Sequence, residues 1–303
     1  MNSSIDLRDV LRPYRSQLAA LAHLPASGRT SEDDQLDAAR ELLGECAEFR
    51  AVGAQLAAAM KSAAGWTVLT GFPATEYGKE GRDILLLGLG LALGTPTRTD
   101  CTVGRRIWEV TPRRWLPAGH VPTITECAAA AELHTDSQYR STPERYVALL
   151  VIRPAGDGGG ETTILTANQL VERLTATPQG RDAHDVLRSA PFPFAVPTSF
   201  LADPRTRAAE FIQAPILAAE PMIRYRSDTL AAGFELAPSL ATQEALAATM
   251  RLGEAIANHP ATVQFHLQTG DVLFVDNHRV LHGRTDFADP RRLLLRLRIS
   301  AAD

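Results

Sequence analysis

The sequence predicts an α+β protein with a mainly β core, an antiparallel barrel or jelly roll inside a helical shell. Three observations carry that prediction. The first sixty residues read as helix. Beyond residue 100 the texture changes to short apolar runs broken by Gly, Pro and Asp. Helical segments interrupt those runs without the regular alternation of a parallel βαβ sheet. The expected organisation is one unit over residues 1–303, with a helical region over 1–60, a core over about 65–303, and helical insertions near 165–190 and 205–260.

Taken in order, Ser31-Glu32-Asp33-Asp34 is expected to cap an amphipathic run through Leu36, Ala39, Leu42 and Leu43, which an alanine-rich stretch continues to Met60. Residues 65–70 then turn to β-branched and aromatic side chains and stop at Gly71-Phe72-Pro73, a strand with a breaker behind it. A helix is expected over 81–93. Residues 146–153 form an apolar strand closed by Pro154, and Gly158-Gly159-Gly160 leads into another over 161–165. Helical periodicity follows at 168–174 and 240–257, and strand patterns return at 262–267, 272–276 and 293–299.

Composition narrows the function classes. Hydrophobic residues make up 45% and charged residues 22%, as in ordinary globular proteins, and the net charge of −4 offers no basic excess for nucleic acid. Cys46, Cys101 and Cys127 lack the spacing of a zinc knuckle, and residues 1–14 lack the apolar core of a signal segment. No uncharged apolar stretch approaches the ~18 residues of a membrane span. The expectation is a cytoplasmic protein with a small-molecule partner, without membrane or nucleic-acid contacts.

The sharpest local signal is Leu133-His134-Thr135-Asp136. Residues two apart on a strand share a face, so His134 and Asp136 can offer an imidazole nitrogen and a carboxylate oxygen to one metal ion. His282 supplies a second imidazole. Two histidines and one carboxylate on one side of a metal form the facial triad of iron(II) oxygenases, which leaves coordination positions open, whereas zinc favours a closed tetrahedron or three ligands and a water. His278, four residues before His282, competes only if that segment is helical. The apolar run after Gly270-Asp271 reads as strand and turn, which favours His282.

The last strand adds an independent clue. Arg292, Leu294, Arg296 and Arg298 share one face, and Leu293, Leu295, Leu297 and Ile299 the other. Arginines on the inner face of a barrel require anions, and a guanidinium meeting a carboxylate bidentately is the natural arrangement. The alternative is an edge strand whose arginines reach water.

These stretches resemble the taurine dioxygenase superfamily (TauD/TfdA), and within it the clavaminate synthase-like enzymes. The resemblance rests on Glu132-Leu133-His134-Thr135-Asp136-Ser137, on Arg153-Pro154-Ala155 with Gly159-Gly160-Glu161-Thr162-Thr163, on Asp276-Asn277-His278-Arg279-Val280-Leu281-His282-Gly283-Arg284-Thr285, and on Asp289-Pro290-Arg291-Arg292-Leu293-Leu294-Leu295-Arg296. It spans roughly residues 60 to 300, with several motifs in the right order. It implies a double-stranded β-helix carrying iron on His134, Asp136 and His282. It further implies 2-oxoglutarate held by Thr162 and Arg292, with Arg296 assisting cosubstrate or substrate and Arg291 as the alternative clamp.

The implied reaction consumes O2 and 2-oxoglutarate, releases succinate and CO2, and hydroxylates an unactivated C–H of a small amino-acid-like substrate in specialised metabolism. Desaturation or cyclisation by the same cofactors is the alternative outcome, and a zinc hydrolase or lyase on the same triad is the alternative class. Asp136 stands where several amino-acid hydroxylases of the group carry glutamate. A glycine or alanine there would suggest a halogenase. Candidates for substrate contact are Thr123 to Cys127, Ser137 and Gln138, and Arg224-Tyr225-Arg226, whose arginines suit a carboxylate or sulfonate.

Overall fold

Two largely antiparallel sheets face one another at the centre of the computed structural model, which describes residues 5–7, 31–98, 104–113, 124–197, 200, 210–218 and 222–301. Strands are numbered in chain order. The larger sheet holds β1 (Ile5–Asp6), β2 (Trp66–Thr70), β3 (Gly94–Pro96), β4 (Ile107–Val110), β6 (Tyr146–Arg153), β11 (Val272–Asp276) and β13 (Leu293–Ala301). The smaller holds β5 (Ala131–His134), β7 (Thr162–Thr166), β10 (Val263–Phe265) and β12 (Val280–Arg284), and β8 (Phe192–Ala195) pairs with β9 (Phe211–Ala214) as a separate ribbon. The larger sheet runs β1-β2-β11-β6-β13-β3 with β4 also on β13, and the smaller runs β10-β7-β12-β5.

Apolar side chains of both sheets meet in one cluster: Val147, Val151, Leu273, Val275 and Leu294 from the larger, Ile164 and Val280 from the smaller. This is the expected jelly roll, and helices cover its outer faces. Among the described residues α1 (Glu32–Glu45), α2 (Ala47–Lys61) and α3 (Gly78–Leu91) pack on the larger sheet, burying Leu36, Phe49, Leu56 and Leu85 with Leu295, Leu297 and Ile299. On the smaller sheet's side, α4 (Ala167–Leu174), α5 (Pro178–Ser189), α6 (Ser227–Leu236) and α7 (Gln243–Ile256) bury Leu170, Leu187, Leu230 and Leu252 around β8, Leu165 and Leu281. The cap expected at Ser31 forms: its hydroxyl accepts from the Asp34 N–H, and Asp34 Oδ2 accepts from the Ser31 N–H at 2.8 Å.

Two expectations are corrected, and one alternative fails. Ile5 and Asp6 are strand rather than helix, because they pair in parallel with Leu69 and Thr70, cover the outer edge of β2 and bury Leu7. The helix expected from residue 240 starts at Gln243, since Pro238–Leu240 form a 3₁₀ turn and Thr242 caps the helix proper. The edge-strand reading of the arginines fails: β13 lies inside its sheet, between β6 on one side and β3 and β4 on the other. The expected helix over 8–30 and the candidate Thr123 lie outside the described residues.

Candidate metal centre and its anion pocket

The register of the smaller sheet brings the two histidines together. β12 pairs with β5 so that His282 lies opposite His134, and cross-strand partners have Cβ atoms about 5 Å apart. Their ring centroids stand 4.7 Å apart. Asp136, just beyond β5, completes a group in which one ligand atom from each of His134, Asp136 and His282 lies within 4.8 Å of the others, with all three residues buried. The turn that carries Asp136 is pinned from several sides. Its N–H donates to Asn277 Oδ1 at 2.7 Å, and Asn277 Nδ2 donates back to the Asp136 carbonyl at 3.0 Å and to the Glu144 carbonyl at 2.9 Å. Thr135 N–H donates to the Tyr225 carbonyl at 2.8 Å, and Ser137 reverses the chain at φ 57°.

The chemistry of the donor set fits a divalent transition metal. His134 Nδ1 lies 2.7 Å from the Glu132 carbonyl. That contact calls for a proton on Nδ1 and leaves the Nε2 lone pair facing Asp136 Oδ1 at 3.7 Å. His282 Nδ1 is buried with no hydrogen-bond partner among the described residues. Burial, chief among the causes, pushes the His282 imidazole down to about 3, so the ring is neutral at ordinary pH. Burial raises the Asp136 carboxyl, but Arg298 and Arg296 outweigh it and hold the group well below the usual carboxylate range. Asp136 Oδ2 accepts from Arg298 Nε at 3.0 Å and lies 3.3 Å from Arg296 Nη1. One oxygen of Asp136 thus faces the histidines and the other faces the arginines.

A pocket opens from this centre between the sheets, lined by Thr162, Arg284, Arg292 and Arg296 with Leu149, Leu273 and Leu294. The β7–β12 register sets Thr162 opposite Arg284, two residues along from His282, so these side chains share the inner face. Gly283, between them, is required by closeness: a Cβ there would stand 2.6 Å from the Ala131 carbonyl oxygen and 2.7 Å from Thr163 Oγ1.

Three arginines and one carboxylate line the pocket. Arg284 is anchored by the carbonyls of Cys127 and Ala129 at 2.6 and 2.7 Å. Arg292 packs over Phe287, with its guanidinium carbon 4.9 Å from the ring centroid, and its Nη1 is buried without a partner among the described residues. Burial, aided by Arg284, pushes its guanidinium down to about 10. A buried cation beside a second one, with a donor left unmade, is an arrangement that an anionic ligand completes.

The other expected residues divide. Arg296 reaches Asp136, and Thr162 lines the pocket. Arg291 points elsewhere, 71% exposed and paired with Asp289. His278 Nε2 turns to the Pro143 carbonyl at 3.0 Å, and burial lowers its pKa. Arg224 spends both Nη atoms on backbone, while its buried Nε has no partner among the described residues. Its Nη atoms donate to the carbonyls of Gln138, Arg140 and Ser141, which makes it a clamp on the turn after Asp136. Tyr225 is buried, and its backbone braces Thr135. Gln138 Nε2 donates to Thr229 Oγ1 at 3.0 Å, and Ser137 Oγ is buried without a partner among the described residues. Sequence reasoning missed Asn277 and Arg298. Asn277 stood inside a quoted motif and Arg298 on the marked face of β13, but neither signal said which backbone or carboxylate it would meet.

The chain matches the family described as Taurine catabolism dioxygenase TauD, TfdA family over residues 37–298. An L-lysine 3-hydroxylase from Catenulispora acidiphila is 30% identical over 176 residues, which are 56% of this chain and 44% of the hydroxylase, so the likeness spans less than half of that protein. Among solved structures, asparagine oxygenase in complex with Fe(II), 2S,3S-3-hydroxyasparagine and succinate has a TM-score of 0.76 at 21% identity, covering 98% of this chain and 93% of the other. The non-haem iron oxygenase OrfP in complex with Fe, succinate and (3S)-hydroxy-L-Arg has a TM-score of 0.68 at 20% identity, covering 98% and 94%. At these identities the structural likeness is one of fold.

Proposed function

From the premise that the chain belongs to the TauD/TfdA dioxygenase family, we propose that it is an iron(II)- and 2-oxoglutarate-dependent oxygenase that hydroxylates an unactivated C–H of a small amino-acid-like molecule. The observation that carries the reading is the joining, in one pocket, of the His134–Asp136–His282 group to Arg292, whose buried Nη1 has no partner among the described residues. A zinc hydrolase on the same triad has no use for a buried arginine with an unmet donor beside its metal.

In this reading His134, Asp136 and His282 hold the iron, and Arg292 with Thr162 holds the distal carboxylate of 2-oxoglutarate. Iron, when bound, would activate O2 as the oxidant, with 2-oxoglutarate oxidised to succinate and CO2 by one oxygen atom and the substrate C–H oxidised by the other. The chain's own work is binding and shielding. His282 stays neutral and keeps its one ring-nitrogen lone pair for the metal. Asp136 stays ionised because Arg298 and Arg296 face its second oxygen. Val110, Ile124, Leu149, Leu273 and Leu294 keep the pocket wall apolar and exclude water. The relatives named as a lysine hydroxylase, an asparagine oxygenase and an arginine-binding oxygenase support a free amino acid as substrate.

The test is succinate release from 2-oxoglutarate with iron(II), ascorbate and oxygen, across a panel of amino acids, their derivatives and sulfonates. Stimulation by one compound class supports the reading and names the class. A protein that binds neither iron nor 2-oxoglutarate would overturn it, and stoichiometric zinc in the purified protein would favour the hydrolase. No helix among the described residues is long and apolar enough to cross a membrane.

A further inference from the structure

Arg226 ends the 224–226 stretch, beyond the clamp that Arg224 forms on the turn after Asp136. The segment from Tyr225 to Thr229 runs alongside residues 132–138. Thr135 N–H donates to the Tyr225 carbonyl at 2.8 Å, Ser227 Oγ donates to Glu132 Oε2 at 2.7 Å, and Gln138 Nε2 donates to Thr229 Oγ1 at 3.0 Å. These ties bracket Arg226 and Asp228 and set them beside His134. Electrostatics places them the same way: the Arg226 charge acts on His282 and Arg296, and His134 acts on Asp228. Neither residue lines the Arg292 pocket.

Arg226 is held in a fixed pose. Asp228 grips one edge of its guanidinium, with Nε 2.7 Å from Oδ1 and Nη2 3.1 Å from Oδ2. Nη1 on the other edge has no partner among the described residues. The Arg226 side chain is 20% exposed and that of Asp228 63%, so the cation is the inner member of the pair. Arg296 and Arg298 face Asp136, and the Glu132 carboxylate accepts from Ser227 next to Arg226. A guanidinium gripped on one edge offers the other for bidentate recognition of a second carboxylate.

We propose that Arg226, oriented by Asp228, binds a carboxylate of the amino-acid substrate beside the metal centre. This assignment rests on the oxygenase reading above. The carboxylate is either the α-group or one on the side chain. Asp228 is a positioning residue, acting through Arg226.

The experiment is anaerobic titration of amino acids into protein loaded with iron(II) and 2-oxoglutarate. It is read by calorimetry and by perturbation of the visible band of the iron–2-oxoglutarate complex. The probes are L-aspartate, L-asparagine, L-lysine and L-arginine, with the α-amide of each that binds. Wild type, Arg226→Met, Arg226→Lys and Asp228→Asn are compared. Arg226→Met is expected to bind about 30-fold more weakly, as for the loss of one member of a desolvated charge pair. Arg226→Lys recovers part of that loss, and Asp228→Asn loses less than Arg226→Met.

An α-amide that binds wild type as poorly as its parent acid binds Arg226→Met identifies the α-carboxylate. Aspartate binding far better than asparagine, with the aspartate α-amide unimpaired, identifies the side-chain group. Equal affinity of wild type and Arg226→Met for the binding amino acid, with the iron–2-oxoglutarate band intact in both, overturns this assignment and leaves the oxygenase reading standing. Absence of the band from wild-type protein overturns both.

Discussion

Arg292, immediately before β13, and Arg298, within it, lie at nearly equal depth, 5% and 3% exposed, in opposite circumstances. Arg298 has its counter-ion: Nε meets Asp136 Oδ2 at 3.0 Å, Nη1 lies 3.5 Å from the Tyr139 hydroxyl, and Phe200 stacks near the guanidinium. Burial alone would lower its pKa, but Asp136, Tyr139 and Glu144 overcome that and raise it. Arg292 meets no carboxylate among the described residues; it has the Phe287 ring and, beside burial, the charge of Arg284, and its pKa falls. Equal burial with unequal pairing separates two uses of the same residue. A paired buried cation orders the protein, and an unpaired one stores a desolvation cost that a ligand relieves.

The largest effect expected from breaking the comparison belongs to Arg298→Met. It leaves Asp136 with Arg296 alone, and chemical denaturation should show a loss of about 3 kcal/mol or more. Metal affinity, read by chelator competition, should fall about 10- to 100-fold. Arg292→Met should behave in the opposite way. The metal-free fold should be as stable as wild type or slightly more so, while 2-oxoglutarate affinity drops by about 2–4 kcal/mol in calorimetry.

The third effect is of pH. His282 has a folded-state pKa of about 3 against an ordinary 6.5, so between those values the unfolded chain binds the extra proton. Stability of the metal-free protein should therefore be retained above pH 6.5 and lost as pH falls toward 3. His282→Gln should remove on the order of 3 kcal/mol of that decline down to about pH 4. Identical pH profiles for the two proteins would contradict it. Gly160→Ala is the smallest and most selective change. Its φ of +72° disfavours a side chain, and a Cβ would stand 3.1 Å from Arg292 Nε. About 1 kcal/mol of stability should be lost, with weaker 2-oxoglutarate binding and unchanged metal affinity.

Much of this was legible in the sequence because it depends on spacing along strands. The two-residue step from His134 to Asp136, the alternation through β13, and the glycines before Thr162 are local patterns, and the sheets preserve them. Partner choice is not local. That Arg298 meets Asp136 while Arg292 meets no carboxylate among the described residues depends on how far β13 is offset from the turn after β5, which no single segment encodes. The same holds for Asn277, which holds both polar backbone groups of Asp136 across 141 positions of sequence. It holds also for Arg224, whose charge suggested a ligand and whose Nη donors serve backbone carbonyls instead.

The most direct test of the central claim is anaerobic calorimetry of 2-oxoglutarate binding to wild-type and Arg292→Met protein, each with and without iron(II). The account predicts tight binding to iron-loaded wild type, weak binding when either the metal or the Arg292 guanidinium is removed, and normal folding of the variant throughout. Binding of equal strength in wild type and Arg292→Met, or binding indifferent to iron, would contradict it.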